Sequence, residues 1–590
     1  MSIDIETYRL KAQEAIEYVF VKEYHNSLGI PMPIVKMLLP DDANYSTGQY
    51  YITIDKTWQI HLNFGKLPIS YHEFQNEVKV LTRHEIEHYM CCPFDVITHF
   101  RMLKRIRDVY YKHFSHLGIN IEYACGAISN QAADIIVDTK NYYRHSKETL
   151  KSEIDWIKIG ANISACPRHC KLMFLTKEAI WKEDLGINET DPEFLKIVHQ
   201  LADSFTKNGI EDKSSFLDKV EEYAEIFFKL YVEDQKNPQQ SSQQGSQQQS
   251  GQQGSQQQSG QQGSQQQSGQ QGPQQQSGQQ GSQQQSGQWG VGRPKDGDEH
   301  GNAFVFADPD KVKEAIEVLA EETSVEEFID LLAIAGIIGM SDKQKGVLWF
   351  NVQSANIIPI VEFSNTGNKS SYTYPSVWRI GDPIEELDLM LTYMTSPRLI
   401  PGMTTKKWGY VSNDDNGTES KQMDLLLVVD TSGSMGSAMK ESANMHQAVL
   451  ASYGILSYFE STKSKVAFIG FSDKIDAYVD WSDKYDDVRE RLLTNGHGGT
   501  KFPISRIKST LDVRSRDLVT VLITNGDLGN INESVSYFRD YLNDDNKLYI
   551  FLLGGSKSLH SYEPLKNIGA KIYNANNANE FCDMVLTDME

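Results

Sequence analysis

Asp424-Leu425-Leu426-Leu427-Val428-Val429-Asp430-Thr431-Ser432-Gly433-Ser434 is an apolar run that ends in a loop of oxygen donors. Five consecutive apolar residues without polar alternation predict a strand buried on both faces, the kind found in parallel sheets covered by helices. Further runs of this type follow at Lys465 to Phe471, Leu518 to Thr524, Lys547 to Leu553 and Lys571 to Tyr573, with helical patterns between them. Strand and helix in alternation predict an α/β, Rossmann-type domain over residues 420–590. In such sheets ligands gather at the carboxyl ends of the strands, where the loop after Val429 delivers Asp430, Ser432 and Ser434 before a helix expected near Ala438. Carboxylate and hydroxyl oxygens are hard donors, so the expected ion is Mg2+ or another divalent cation.

A second motif of different chemistry lies far upstream, at His84-Glu85-Ile86-Glu87-His88. The segment Phe74 to Met90 reads as a helix, and histidines four apart share one helix face, so both can hold one ion. Imidazole nitrogens are borderline ligands that suit Zn2+. Glu85 lies beside them, where it can take a proton from an attacking water and serve as the catalytic base. A catalytic zinc needs a third protein ligand, and Asp134, within Asn130 to Asp138 on an expected helix from Ala127 to Tyr143, is the best candidate. Tyr142 and Tyr143 are candidates for steadying an oxyanion. His145 continues the Asp134 face but lies about 16 Å further along the helix, too far for the same ion.

Upstream of this helix, Tyr50 to Ile54 alternates and pairs naturally with Trp58 to Phe64 across Asp55-Lys56-Thr57. Downstream come a break at Pro93 and a helix from Val96 to Phe114. An α+β domain over residues 1–235 is expected. From Asn237 to Gln288 the sequence repeats GSQQQSGQQ with glycines at 245, 254, 263, 272 and 281. None of these residues supplies an apolar face, so residues 236–298 are expected to be a disordered linker, with a span of roughly 40 Å for the repeats. Proteolysis should therefore cut between Gly245 and Gly281 and release two folded fragments, and protection of that stretch would show that it packs. Residues 299–419 read as a connecting region, helical from Asp308 to Met340 and extended from Leu348 to Glu362.

Composition narrows the function. At 590 residues the chain is too long for one core, and its formal charge of −22 argues against a nucleic-acid-binding surface. The N-terminus has no basic and apolar leader pattern, and the longest apolar stretch, Leu331 to Met340, is too short to span a bilayer, so a cytoplasmic protein without membrane association is expected. Six cysteines in this length make no disulfide framework. Cys166 and Cys170 lack the second pair that a structural zinc site needs, and are expected to be free thiols.

The Asp430 loop and its surroundings resemble the von Willebrand factor A domain and its metal-ion-dependent adhesion site. The resemblance implies that Asp430, Ser432 and Ser434 are joined by Thr500 from a second loop and by a carboxylate from a third. In that third loop this chain has Thr524-Asn525-Gly526, so Asn525 stands where the family has Asp, with Asp527 two residues on. Asp134 and Asp138 resemble the E-x-x-x-D arrangement of thermolysin-like zinc peptidases, which implies that Asp134 ligates zinc and Asp138 orients a ligating histidine. The departure is the shorter Asp in place of Glu.

Taken together, a zincin-like metallopeptidase domain, a low-complexity linker and a C-terminal von Willebrand A-like domain resemble a prokaryotic group associated with MoxR-type AAA+ ATPases. The implied activity is zinc-dependent hydrolysis of a peptide or protein substrate, with a protein partner such as that ATPase docked on the adhesion site. The competing expectations are a noncatalytic adaptor and a chelatase-type accessory subunit, both acting through the A-like domain.

Overall fold

A computed structural model describes residues 5–575 apart from 43–49, 55–57, 65–69, 160–162, 237–308, 338–339, 358–375, 378–386, 389–405, 408–422, 515–516, 527, 529, 545 and 554–559. The Gln/Ser/Gly repeats and Asp527 therefore lie outside the described residues. The chain divides into two compact units, Met1–Glu322 with Glu327–Gly339, and Thr323–Glu326 with Met340–Glu590.

The described residues of the first unit are mostly helical, with one small sheet. Strand β1 (Ile34–Leu38) runs parallel to β3 (Gln59–Phe64), and β2 (Tyr50–Ile54) runs antiparallel to β3 on its other side. The expected pairing holds, with Ile54 opposite Ile60 and Tyr50 opposite Phe64. The first strand was not expected. Ile60 and Leu62 bury their side chains against α1 (Ile5–Glu17) and α2 (Tyr71–Met90), in a cluster with Ala12, Ile16, Phe74, Val78 and Ile86. Burying side chains of this size contributes about 1.5–3 kcal/mol each, which fixes α2 against the sheet.

Helix α2 starts where Ser70 accepts a hydrogen bond from the Glu73 amide, and α3 (Val96–His113) starts where Asp95 accepts one from Thr98. Helix α4 (Ile121–Ile159) is far longer than the expected Ala127 to Tyr143. Asn120 caps it through the Tyr123 amide, and it continues across a non-helical His145 (φ −136°, ψ 50°) rather than stopping. Contacts from Glu77 to Ser152, Arg83 to Glu148 and His84 to Asp138 show that α2 and α4 run antiparallel. Helices α5 (Arg168–Trp181), α6 (Pro192–Thr206) and α7 (Phe216–Lys236) and the helix Pro309–Glu322 also belong to this unit.

The described strands of the second unit are three two-residue pieces, β4 (Ser376–Val377), β5 (Leu387–Asp388) and β6 (Lys406–Lys407), and a six-stranded sheet. That sheet contains β7 (Asp424–Asp430), β8 (Val466–Phe471), β9 (Ile475–Ser482), β10 (Leu518–Thr524), β11 (Lys547–Leu553) and β12 (Lys571–Ala575), in the order β12-β11-β10-β7-β8-β9. All pairings are parallel except β8 with the edge strand β9. Every residue of β7 and β10 is buried, as the unbroken apolar runs require. Because β8 and β10 leave from opposite sides of β7, the loops after β7 and β10 face each other at the point where the winding reverses.

Two expectations need correction here. Leu348 to Ile357, expected extended, belongs to a helix, Asp342–Ile357, while 358–362 lie outside the described residues. Its start is a capping box in which the Gln344 amide donates to Ser341 Oγ and the Ser341 amide to Gln344 Oε1. The buried positions Lys345, Gly346, Trp349, Phe350 and Ser354 recur with helical spacing. The helix expected near Ala438 begins only at Asn444, because the intervening segment turns through Gly436 (φ +75°) and is held by a hydrogen bond from His446 Nδ1 to the Ala438 carbonyl.

No described helix is long and apolar enough to cross a membrane. Cys91, Cys92, Cys125, Cys166 and Cys170 are free thiols.

Candidate metal centre

One turn separates His84 from His88 on α2, and both imidazoles are buried against α4. There they meet Asp134, and the three residues bring one ligand atom each into a single buried group that could hold a metal ion. Among the described residues no other group of three His, Cys, Asp or Glu side chains meets this criterion. The Nε2 atoms of His84 and His88 are 3.0 Å apart, and Asp134 Oδ1 lies 3.2 Å from His88 Nε2 and 3.4 Å from His84 Nε2. Ligands at 2.0–2.1 Å from a tetrahedral zinc are about 3.3 Å from one another, so the triangle has nearly the size that the ion demands.

The protons of the two rings follow from their other nitrogens. His84 Nδ1 is 2.6 Å from Asp138 Oδ1, and His88 Nδ1 is 2.9 Å from the Cys92 carbonyl. Each acceptor requires a donor, which places the ring proton on Nδ1 and directs a lone pair on Nε2 toward the centre of the group. No hydrogen bond reaches Asp134 Oδ1, although it is buried, while its other oxygen accepts one from Asn130 at 3.2 Å. Three electron-rich atoms thus converge in a water-poor site. A proton on one Nε2 would serve a single contact, whereas a divalent cation serves all three.

The outer contacts are charged as well. Asp138 uses its second oxygen to accept from Lys177 Nζ at 2.5 Å, and Lys177, on α5, also donates to Glu153 at 2.8 Å. Burial would raise the Asp138 carboxyl, yet Lys177 and then His84 bring it down. Glu87, the inner glutamate of the motif, is fully buried and faces away toward Lys140, Arg144 and Tyr24, which fastens α2 to the bundle.

The residues read from the sequence thus assemble around one point in the cases of His84, His88, Asp134 and Asp138. Glu85 follows His84 on the same helix and is 8% exposed. His145 lies instead at the α4 kink beside Arg83 and Glu23. Tyr142 stacks on Trp181 at 4.7 Å and donates its hydroxyl to Glu183, and Tyr143 is exposed, so neither is arranged to steady an oxyanion. Lys177, Asn130 and the Cys92 carbonyl were missed. Of these only Lys177 left a trace, as a lysine among apolar residues at helical spacing between Phe174 and Trp181.

In the second unit the Asp430 loop forms a compact oxygen cluster. Asp430 is fully buried and accepts from the Ser432 amide at 2.9 Å and from Thr524 Oγ1 at 2.6 Å. Ser432 Oγ and Ser434 Oγ are 3.1 Å apart, and Ser434 is joined to Asn525 by two hydrogen bonds, Ser434 Oγ to Asn525 Oδ1 at 3.1 Å and Asn525 Nδ2 to the Ser434 carbonyl at 2.8 Å. Thr500 follows a glycine loop tied to this one by the Gly433 amide and the Gly498 carbonyl at 3.4 Å. Glycine is required at 496, since a Cβ there would lie 2.4 Å from Asp476 Oδ2 and 2.5 Å from the Thr431 carbonyl. A carboxylate, two hydroxyls and an amide oxygen fit a hard cation. No protein-family model matches the chain, and no curated protein matches it.

Proposed function

We propose that this chain is a zinc-dependent metallopeptidase whose C-terminal unit docks a protein partner. The observation that carries the reading is the convergence of His84 Nε2, His88 Nε2 and Asp134 Oδ1, with Asp138 and the Cys92 carbonyl fixing both rings. These three residues would hold the zinc, which when bound supplies Lewis acidity to a peptide carbonyl and to an attacking water. Glu85 accepts the proton from that water and passes it to the leaving amine. The small sheet beside α2 ends in the edge strand β2, whose outer main-chain groups suit an extended peptide. The order of strand pair, H-E-x-x-H helix and carboxylate-bearing helix supports a zincin-like assignment of the first unit. Digestion of a peptide library by the zinc-loaded protein tests the activity, and the absence of any cleavage would overturn it.

For the second unit, the reversal of winding between β7 and β10 and the oxygen cluster at that point support a von Willebrand A-like domain with a metal-ion-dependent adhesion site. A carboxylate from the partner would complete the shell of a Mg2+ held by Asp430, Ser432, Ser434 and Thr500, and a MoxR-type AAA+ ATPase is the partner class that the resemblance implies. Asn525→Asp is expected to tighten Mg2+ on the order of tenfold in calorimetric titration, because it sets a full charge where Ser434 already meets an amide oxygen. An unchanged affinity would place residue 525 outside the shell.

A further inference from the structure

Lys177 is only 2% exposed, and a lysine ammonium in such a place needs opposite charge around it. Two carboxylates meet it, Asp138 Oδ2 at 2.5 Å and Glu153 Oε1 at 2.8 Å. Asp138 in turn spends its other oxygen on His84 Nδ1 at 2.6 Å. His88 has a different support, the uncharged Cys92 carbonyl. The two ring ligands are thus held by unlike means, one at the end of an ionic chain and the other by the backbone of its own helix end.

The orientation of Asp138 depends on this chain. With Lys177 between them, Asp138 and Glu153 are bridged by one cation. Without it they would be two buried carboxylates converging on the same space, and their repulsion would turn Asp138 away from His84. Glu153 binds the same ammonium, so the charge is shared between the two carboxylates and the Asp138 oxygen that faces His84 keeps its place. Trp181, one turn beyond Lys177, donates its indole N–H to Thr139 Oγ1 at 3.0 Å and holds α5 against α4 where Asp138 sits.

We infer that Lys177 is a positioning residue for the metal centre, acting through Asp138 to hold His84 in the orientation and tautomer that zinc requires. The inference rests on the zinc reading of the first unit. A lysine that only fastened α5 to α4 would change folding stability and leave zinc affinity alone, so the two roles separate experimentally.

The test is a double-mutant cycle on zinc affinity, measured by chelator competition, with circular dichroism as the check of folding. K177M and D138N are each expected to weaken zinc by roughly tenfold to hundredfold, the range found for residues behind metal ligands. The K177M/D138N double variant is expected to bind no more weakly than D138N alone, because Lys177 acts only through Asp138. In the cobalt-loaded protein, K177M is expected to shift the visible absorption band. Folded K177M with wild-type zinc affinity would overturn the inference, as would losses that add in the double variant. Should K177M not fold, K177Q, which keeps a hydrogen-bond donor for Asp138 without the charge, takes its place, and folded K177Q with wild-type zinc affinity would overturn the inference. Absence of zinc from the wild type would overturn the metal reading and this one together, whereas zinc in the wild type with an unaffected K177M overturns this one alone.

Discussion

Glu85→Gln is expected to retain one zinc per chain and to lose peptide hydrolysis by roughly 10²–10⁴-fold in kcat, the usual contribution of a positioned general base. Glu85 is not among the converging ligand atoms, so its loss leaves the triangle of His84, His88 and Asp134 intact. Glutamine has nearly the shape of glutamate but cannot take a proton from water. Metal content and turnover of the same preparation check the prediction. Loss of zinc along with activity would make Glu85 a ligand, and full activity would remove it from the chemistry.

The second large effect concerns stability. Removing zinc with EDTA is expected to lower the stability of the first unit by about 4 kcal/mol if the free ion stands near a thousandfold its dissociation constant. The physical cause is the site itself, in which two imidazole lone pairs and a carboxylate oxygen face one another away from water. Without the ion their repulsion remains, and with it the three are drawn together. The first unit of His84→Ala and of His88→Ala is expected to melt at one temperature with or without EDTA, in contrast to that of the wild type. Calorimetry of the three proteins decides the matter, and an EDTA-insensitive wild type would contradict it.

Much of this was legible because the sequence marks it with periodicity. The unbroken apolar runs gave β7, β8, β10 and β11 almost to the residue, since strands buried on both faces leave no room for polar alternation. Edge strand β9 was missed although Ile475, Ala477, Val479 and Trp481 alternate with polar or partly polar residues, because the helical reading expected only crossovers between strands. The helix at Asp342–Ile357 was misread because Leu348-Trp349-Phe350 has aromatic bulk suited to strands, and the capping box that starts it was not weighed. For the centre, H-E-x-x-H located two ligands through the turn of a helix, and Asp134 with Asp138 followed from a shared face on α4. The supports were not readable in that way. Lys177 comes from a third helix, where its place among apolar residues marks burial but not the carboxylates it meets, and the Cys92 carbonyl comes from a backbone turn that leaves no spacing in the sequence.

Elemental analysis of the wild-type chain and of Asp134→Ala, both expressed with ample zinc, tests the central claim most directly. The account predicts about one zinc per wild-type chain and none in the variant, because Asp134 supplies the third side of the ligand triangle. Wild-type protein without zinc, or a variant that keeps it, would contradict the account.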